Sequence, residues 1–134
     1  MSNQDSKKNS RSLPYSVWPA QAVAQLEQQG ADALGITLYE LMLRAGQAAY
    51  EHLTAHWPEA SHWLILRGHG SNGGDGYVLA RLGQAAGKTV TLLAGGSKKA
   101  LPGEARRARD ARLEGGGEIH AAGAVWPGPI EVIV

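Results

Sequence analysis

The sequence predicts an α/β fold built on a mostly parallel sheet. Helical patterns alternate with short, continuous apolar runs, and each run is bounded by polar or glycine-rich segments. Strands buried on both faces have this appearance, and their alternation with helices argues for parallel strands in a three-layer αβα sheet. The first of these runs leads directly into a glycine-rich turn with a helical pattern behind it.

Residues 1–13 are polar, with charges of both signs, and are read as a disordered arm. A domain over residues 14–134 follows. "SVWPAQAVAQLEQQGADALG" reads as a helix with Pro19 near its first turn and Gly35 past its end. Thr37-Leu38-Tyr39-Glu40 has the capping-box pattern, a hydroxyl followed three residues on by a carboxylate. Leu38, Leu41, Met42, Ala45, Ala49 and Leu53 then recur at helical spacing, giving a second helix one apolar face with which to cover a sheet.

"HWLIL", residues 62–66, is the first strand. The helix after the glycine turn is read from Asp75 onward, with Val78, Leu79, Leu82 and Ala86 as its stripe and Gly87 beyond its end. "TVTLLA", residues 89–94, is a second strand. "LPGEARRARDARLEGGG" holds a further helix with Ala105, Ala108 and Ala111 at its apolar positions, and "IEVIV" is a third strand. The sequence stops inside that strand, so the chain is read as a fragment of a longer domain.

Composition excludes several kinds of chemistry. Of the 134 residues, 43% are apolar and 19% charged, as in globular proteins. The net charge of +1 offers no general attraction for nucleic acid or an anionic membrane. With no cysteine, a disulfide scaffold, a thiolate nucleophile and a cysteine zinc site are ruled out. The start of the chain lacks the apolar core of a secretory signal, and a cytoplasmic location is expected.

"RGHGSNGGDGYVLARLG", residues 67–83, carries the chemical interest. Gly68, Gly70 and Gly73 fit the dinucleotide spacing G-x-G-x-x-G, after a strand and before a helix. The rest of that fingerprint is missing: an acidic residue should end the second strand to hold a ribose, and Ala94, Gly95 and Gly96 stand there. Lys98 and Lys99 are placed in a surface loop. "GKT" at 87–89 has Leu82 where a phosphate loop needs its first glycine, and it joins a helix to a strand, the reverse of the required order.

Asp75 decides the character of the turn. At a helix start an aspartate caps free N–H groups. Beside a phosphate cradle its charge would repel the ligand, so a pure anion site does not fit. Asn72 adds an amide oxygen, and oxygen donors of this kind suit a hard cation.

Gly68-His69-Gly70-Ser71-Asn72-Gly73-Gly74-Asp75-Gly76-Tyr77-Val78, followed by Ala80-Arg81-Leu82, resembles the signature of the NAD(P)H-hydrate epimerase family, the YjeF N-terminal domain. The "LYELMLRAG" helix and the "VTLLA" strand are similar in type and spacing. The order of elements is similar to the bacterial bifunctional form, in which this domain precedes an ADP-dependent dehydratase.

The resemblance implies a Rossmann-like αβα domain with the N-terminal helices packed on its sheet. It implies an isomerase that interconverts the R and S epimers of hydrated NADH and NADPH at C6 of the nicotinamide ring. Ser71, Asn72, Gly73, Gly74 and Asp75 would line the nucleotide site, and Asn72 would also be a ligand of a potassium ion. Ser71 departs from the asparagine common at that position. The family's acid/base aspartate would fall beyond Val134. A homodimer and a fused dehydratase domain are partners the resemblance leaves open. Two rivals stand beside it, an NAD(P)-dependent oxidoreductase and a non-catalytic nucleotide-binding module.

Other residues have simpler readings. His52 and His56 are four apart, but "HLTAH" lacks the glutamate of H-E-x-x-H, so a wet helix end is expected. His69 is read as shaping the loop, and His62 and His120 as flanking strands. Arg106, Arg107, Arg109 and Arg112, interleaved with Glu104 and Asp110, read as a solvated helix face. Trp18, Trp57, Trp63 and Trp126 are too scattered to form a stacking platform.

Overall fold

A computed structural model describes residues 16–68, 72–96, 101, 103–123 and 128–134. The expected arm, and with it His69, Ser71, Lys98, Lys99 and Trp126, lies outside them. Four helices and four strands follow in the order α1 (Ala20–Leu34), α2 (Leu38–His56), β1 (His62–Arg67), α3 (Asn72–Ala85), β2 (Thr89–Ala94), α4 (Gly103–Glu114), β3 (His120–Ala121) and β4 (Val132–Ile133). The sheet runs β3-β2-β1-β4 with every pairing parallel, as the alternation of helices and apolar runs predicts.

Local chemistry sets the helix ends. Pro19 caps α1, and Gly35 closes it at φ 65, a left-handed backbone that a side chain would strain. The capping box forms as read. Thr37 Oγ1 accepts from the Glu40 N–H at 3.1 Å, while the Glu40 carboxylate accepts from the Thr37 N–H at 2.7 Å.

Side chains alternate along β1, so Trp63, Ile65 and Arg67 share one face and His62, Leu64 and Leu66 the other. α3 lies against the Trp63 face. A Cβ added at Gly83 would stand 2.7 Å from the Trp63 ring, and only a glycine permits so close a crossing. α2 packs on α3 in turn. Gly46 sits against Val78, and Tyr50 reaches the sheet with its ring 6.1 Å from that of Trp63. α4 flanks α3 on the other side through Ala105 and Ala108. Among the described residues no helix packs on the opposite face, where Leu66 and Ile133 are 51% and 56% exposed.

Four readings change. The run "IEVIV" is the fourth strand, because the short β3 precedes it. α3 begins at Asn72, three residues before the expected start, so Asp75 lies in the first turn and is not the N-cap. On α2, Met42 and Leu53 are buried as expected but Ala45 is exposed, since Gly46 occupies the crossing with α3. Arg112 is not on a solvated face. It is 3% exposed, and Nη1 donates to Gln84 and to the Ala80 carbonyl.

Candidate functional site

The parallel register brings the carboxyl ends of β1 and β4 side by side. Leu66 N–H donates to the Val134 carbonyl at 2.8 Å, so the turn leaving β1 at Gly68 starts beside the end of β4. This is the edge at which open parallel sheets bind ligands. A cleft of about 330 Å³ opens there, lined by Leu66, Arg67, Gly68, Gly73, Asp75 and Val134 among others.

Of the residues singled out from sequence, Gly73, Gly74 and Asp75 fall in the first turn of α3. Gly73 and Asp75 line the cleft. The backbone of Asn72 begins the helix. N–H groups of a first helical turn have no partners within the helix and face outward toward a ligand.

Gly73 and Gly74 are both held at close quarters. A Cβ on Gly73 would stand 2.5 Å from the Gly68 carbonyl oxygen and 2.7 Å from Arg67 Nη2. A Cβ on Gly74 would meet Met42 and stand 3.2 Å from the Ala105 Cα. The glycines therefore allow α3 to start tightly between the end of β1 and helices α2 and α4.

Asp75 is half-buried, and its pKa is raised from 3.8 to about 6. Burial is the larger cause, and the negative charge of Glu27 on α1 adds to it. Its carboxyl also lines a smaller cavity of about 80 Å³ with Glu27, Glu104, Leu38, Leu41, Met42 and Ala45. Apolar walls contributed by α2 and a second carboxylate from α1 thus keep this acid close to half-protonated in mildly acidic solution. A carboxyl so tuned can exchange a proton near neutral pH.

Arg67 was missed in the sequence reading. It is 7% exposed, and its Nη1 donates to the Tyr77 hydroxyl at 2.7 Å while Nη2 donates to the Gly68 carbonyl. The signal was available: an arginine closes an otherwise apolar strand, immediately before the glycine turn.

Residues away from this edge have structural partners. His56 Nδ1 hydrogen-bonds the His52 carbonyl of its own helix at 2.8 Å, and His62 Nε2 lies 3.1 Å from Thr91 Oγ1. Lys88, from "GKT", has its Nζ 3.2 Å from the Pro58 carbonyl, which it meets as a donor. β2 ends at Ala94, and the Gly95 N–H donates to the Arg67 carbonyl, so no acidic side chain ends that strand.

A parallel sheet with a helix start and a cleft at its carboxyl edge defines an α/β domain. The chain matches the model of the "YjeF-related protein N-terminus" over residues 38–130. It belongs to that family.

The chain is 54% identical over all of its length to the bifunctional NAD(P)H-hydrate repair enzyme Nnr of Escherichia coli K12, of which it covers 26%. It is 46% identical over 75% of its length to the bifunctional NAD(P)H-hydrate repair enzyme of Leishmania infantum, covering 18% of that protein. With the NAD(P)H-hydrate epimerase of Rhodobacter capsulatus it shares 44% identity over 53% of its length and 37% of the other's. The chain thus spans between about a fifth and about two fifths of these relatives. The crystal structure of the yeast protein ynu0 has the same fold, with a TM-score of 0.64, 20% identity, and coverage of 80% of this chain and 47% of that one.

Proposed function

We propose that this chain is the amino-terminal part of an isomerase that interconverts the R and S forms of hydrated NADH and NADPH at C6 of the nicotinamide ring. The observation that carries the reading is the meeting of the glycine turn, the first turn of α3 and Asp75 in one cleft at the carboxyl edge, in a chain of this family. The names of the relatives support the substrate.

C6 of the hydrated ring carries a hydroxyl and the ring nitrogen, so it is a hemiaminal carbon. An acid protonates the hydroxyl, water leaves, and the nitrogen lone pair forms an iminium. Water then adds to either face and returns the proton. Such a route needs a group that gives and takes a proton near neutral pH. The resemblance puts the family's acid/base aspartate beyond Val134, and Asp75, with its raised pKa, is a second carboxyl suited to the exchange. The N–H groups of the first turn of α3 would hold the nucleotide, with Ser71, Asn72, Gly73 and Gly74 around it.

A potassium ion belongs to this reading. The donor chemistry fits a hard cation, since Asn72 offers an amide oxygen. Asn72 would hold the ion, which would supply fixed positive charge beside an anionic nucleotide. The Gly68 carbonyl is already engaged by Arg67 and is left out of the donor set. The proposal includes a cytoplasmic protein, a homodimer and a dehydratase domain in the parent protein; the names of the relatives, which call them bifunctional, support a second activity. Among the described residues no helix is long and apolar enough to cross a membrane.

The test follows conversion of the R epimer of hydrated NADPH to the S epimer by chromatography, with and without potassium. Acceleration over the spontaneous rate, lost in Asn72→Ala and Asp75→Ala, is the expected result. A folded protein, extended past Val134, that gives no acceleration would sink the epimerase reading.

A further inference from the structure

Arg67 is buried at the end of β1 with no carboxylate in ion-pair range among the described residues. A guanidinium held this way is costly, because its charge leaves water without a counter-charge. Among the described residues its side-chain hydrogen bonds go to Gly68 and Tyr77. Nη2 holds the Gly68 carbonyl, where the turn begins, and Nη1 holds the Tyr77 hydroxyl in the second turn of α3. The guanidinium carbon lies 4.8 Å from the centre of the Tyr77 ring, a cation–π approach that offsets part of the burial cost.

The first two turns of α3 lie against the same side chain. A Cβ at Gly73 would stand 2.7 Å from Nη2 and 2.9 Å from Nε, and one at Gly76 would stand 3.3 Å from Arg67 Cβ. One side chain therefore lies against Gly68 at the end of β1, two glycines in the helix start, and the tyrosine beyond. No described residue from another strand or helix hydrogen-bonds this guanidinium.

We propose that Arg67 is the positioning residue for the first turn of α3. It sets the separation between the end of β1 and the start of α3, and so fixes the helix N–H groups before any ligand arrives. The planar fork is essential, since Gly68 and Tyr77 are held by different nitrogens of one rigid group. The single ammonium of a lysine can satisfy only part of that geometry. A turn arranged in advance spares the ligand the ordering cost that otherwise weakens binding.

The experiment uses the full chain with Arg67→Met, which keeps the length and loses the donors, Arg67→Lys, and Tyr77→Phe. Amide hydrogen exchange is followed in residues 72–77, with β2 and α4 as internal references. Loss of the latch is expected to speed exchange of the turn about tenfold in Arg67→Met, with less effect in Tyr77→Phe and in Arg67→Lys, while the references hold. The double variant Arg67→Met/Tyr77→Phe should exchange no faster than Arg67→Met alone, because both changes break one unit.

The kinetic arm rests on the epimerase reading. There, Arg67→Met should raise KM about tenfold with kcat nearly unchanged, and Arg67→Lys should recover part of the loss. Unchanged exchange in the turn, or equal acceleration across β2 and α4, would overturn the proposal. Should Arg67→Met fail to fold, Tyr77→Phe decides by the same local readout. A wild-type chain without epimerase activity would count against the function alone, since the exchange arm still judges Arg67.

Discussion

Replacing Asp75 by asparagine should stabilise the protein at pH 8 and leave it almost unchanged at pH 4. The carboxyl has a pKa of 3.8 in a free chain and about 6 in the fold. The folded state therefore binds the proton more tightly than the unfolded state does. Stability from this group is complete below about pH 4, declines as pH rises, and is lost above about pH 6.

A pKa difference of this size corresponds to about 3 kcal/mol at about 1.4 kcal/mol per tenfold change in proton affinity. Asp75 is only partly buried, and solvent screening reduces the figure to about 1–2 kcal/mol. Urea unfolding at a series of pH values from 4 to 8, on wild type and Asp75→Asn, measures it. The expected result is a difference that grows from near zero at pH 4 to about 1–2 kcal/mol at pH 8, with asparagine the more stable. Curves that stay parallel across that range would refute the reasoning, because they would mean that Asp75 titrates alike in both states. Glu27→Gln should lower the pKa of Asp75, since the Glu27 charge is the second cause of its rise.

Two further changes test how the site is held. Gly83→Ala places a methyl 2.7 Å from the Trp63 ring, which is 1% exposed and cannot retreat. Overpacking of about 1–3 kcal/mol should outweigh the roughly 1 kcal/mol gained in helix propensity, for a net loss measurable by thermal unfolding. Glu131→Gln should weaken the join between β4 and the start of β1, because the Glu131 carboxylate accepts from Ser61 N–H, Ser61 Oγ and His62 N–H at 2.7–2.9 Å. Those bonds hold its pKa below the usual 4.5, so this stability is present above that value and is lost as pH falls through the lowered pKa. The wild type and the variant should converge in acid, as the Asp75 pair does, but here the wild type is the more stable at neutral pH.

What could be read from sequence was what local chemistry determines. Thr37 and Glu40 announce their capping box by spacing alone, and Gly35 marks the end of α1 because few other residues accept its backbone angle. "HWLIL" and "TVTLLA" are strands because continuous apolar runs of that length suit a sheet interior. β3 escaped because two residues, His120 and Ala121, carry no periodicity.

Arg112 was misread because its charge was weighed and its position was not. It continues the stripe of Ala105 and Ala108 by one helical turn, so it enters the core with them. Arg67 was hidden in the same way at the end of a strand. The place of Gly73 and Asp75 at the turn was legible from the motif. The proton affinity of Asp75 was not, because Glu27 and the α2 side chains around it are remote in sequence.

The strand order has a consequence for the growing chain on the ribosome. β1 pairs with β2 after a single helix, yet its other edge waits for β4, and the Ser61–Glu131 tie spans 70 positions. At about 5–20 residues per second, that interval lasts roughly 4–14 s. Through it, the strand that carries Arg67 and leads into the glycine turn has one bare edge, open to any extended segment that meets it. β4, short as it is, ends that exposure.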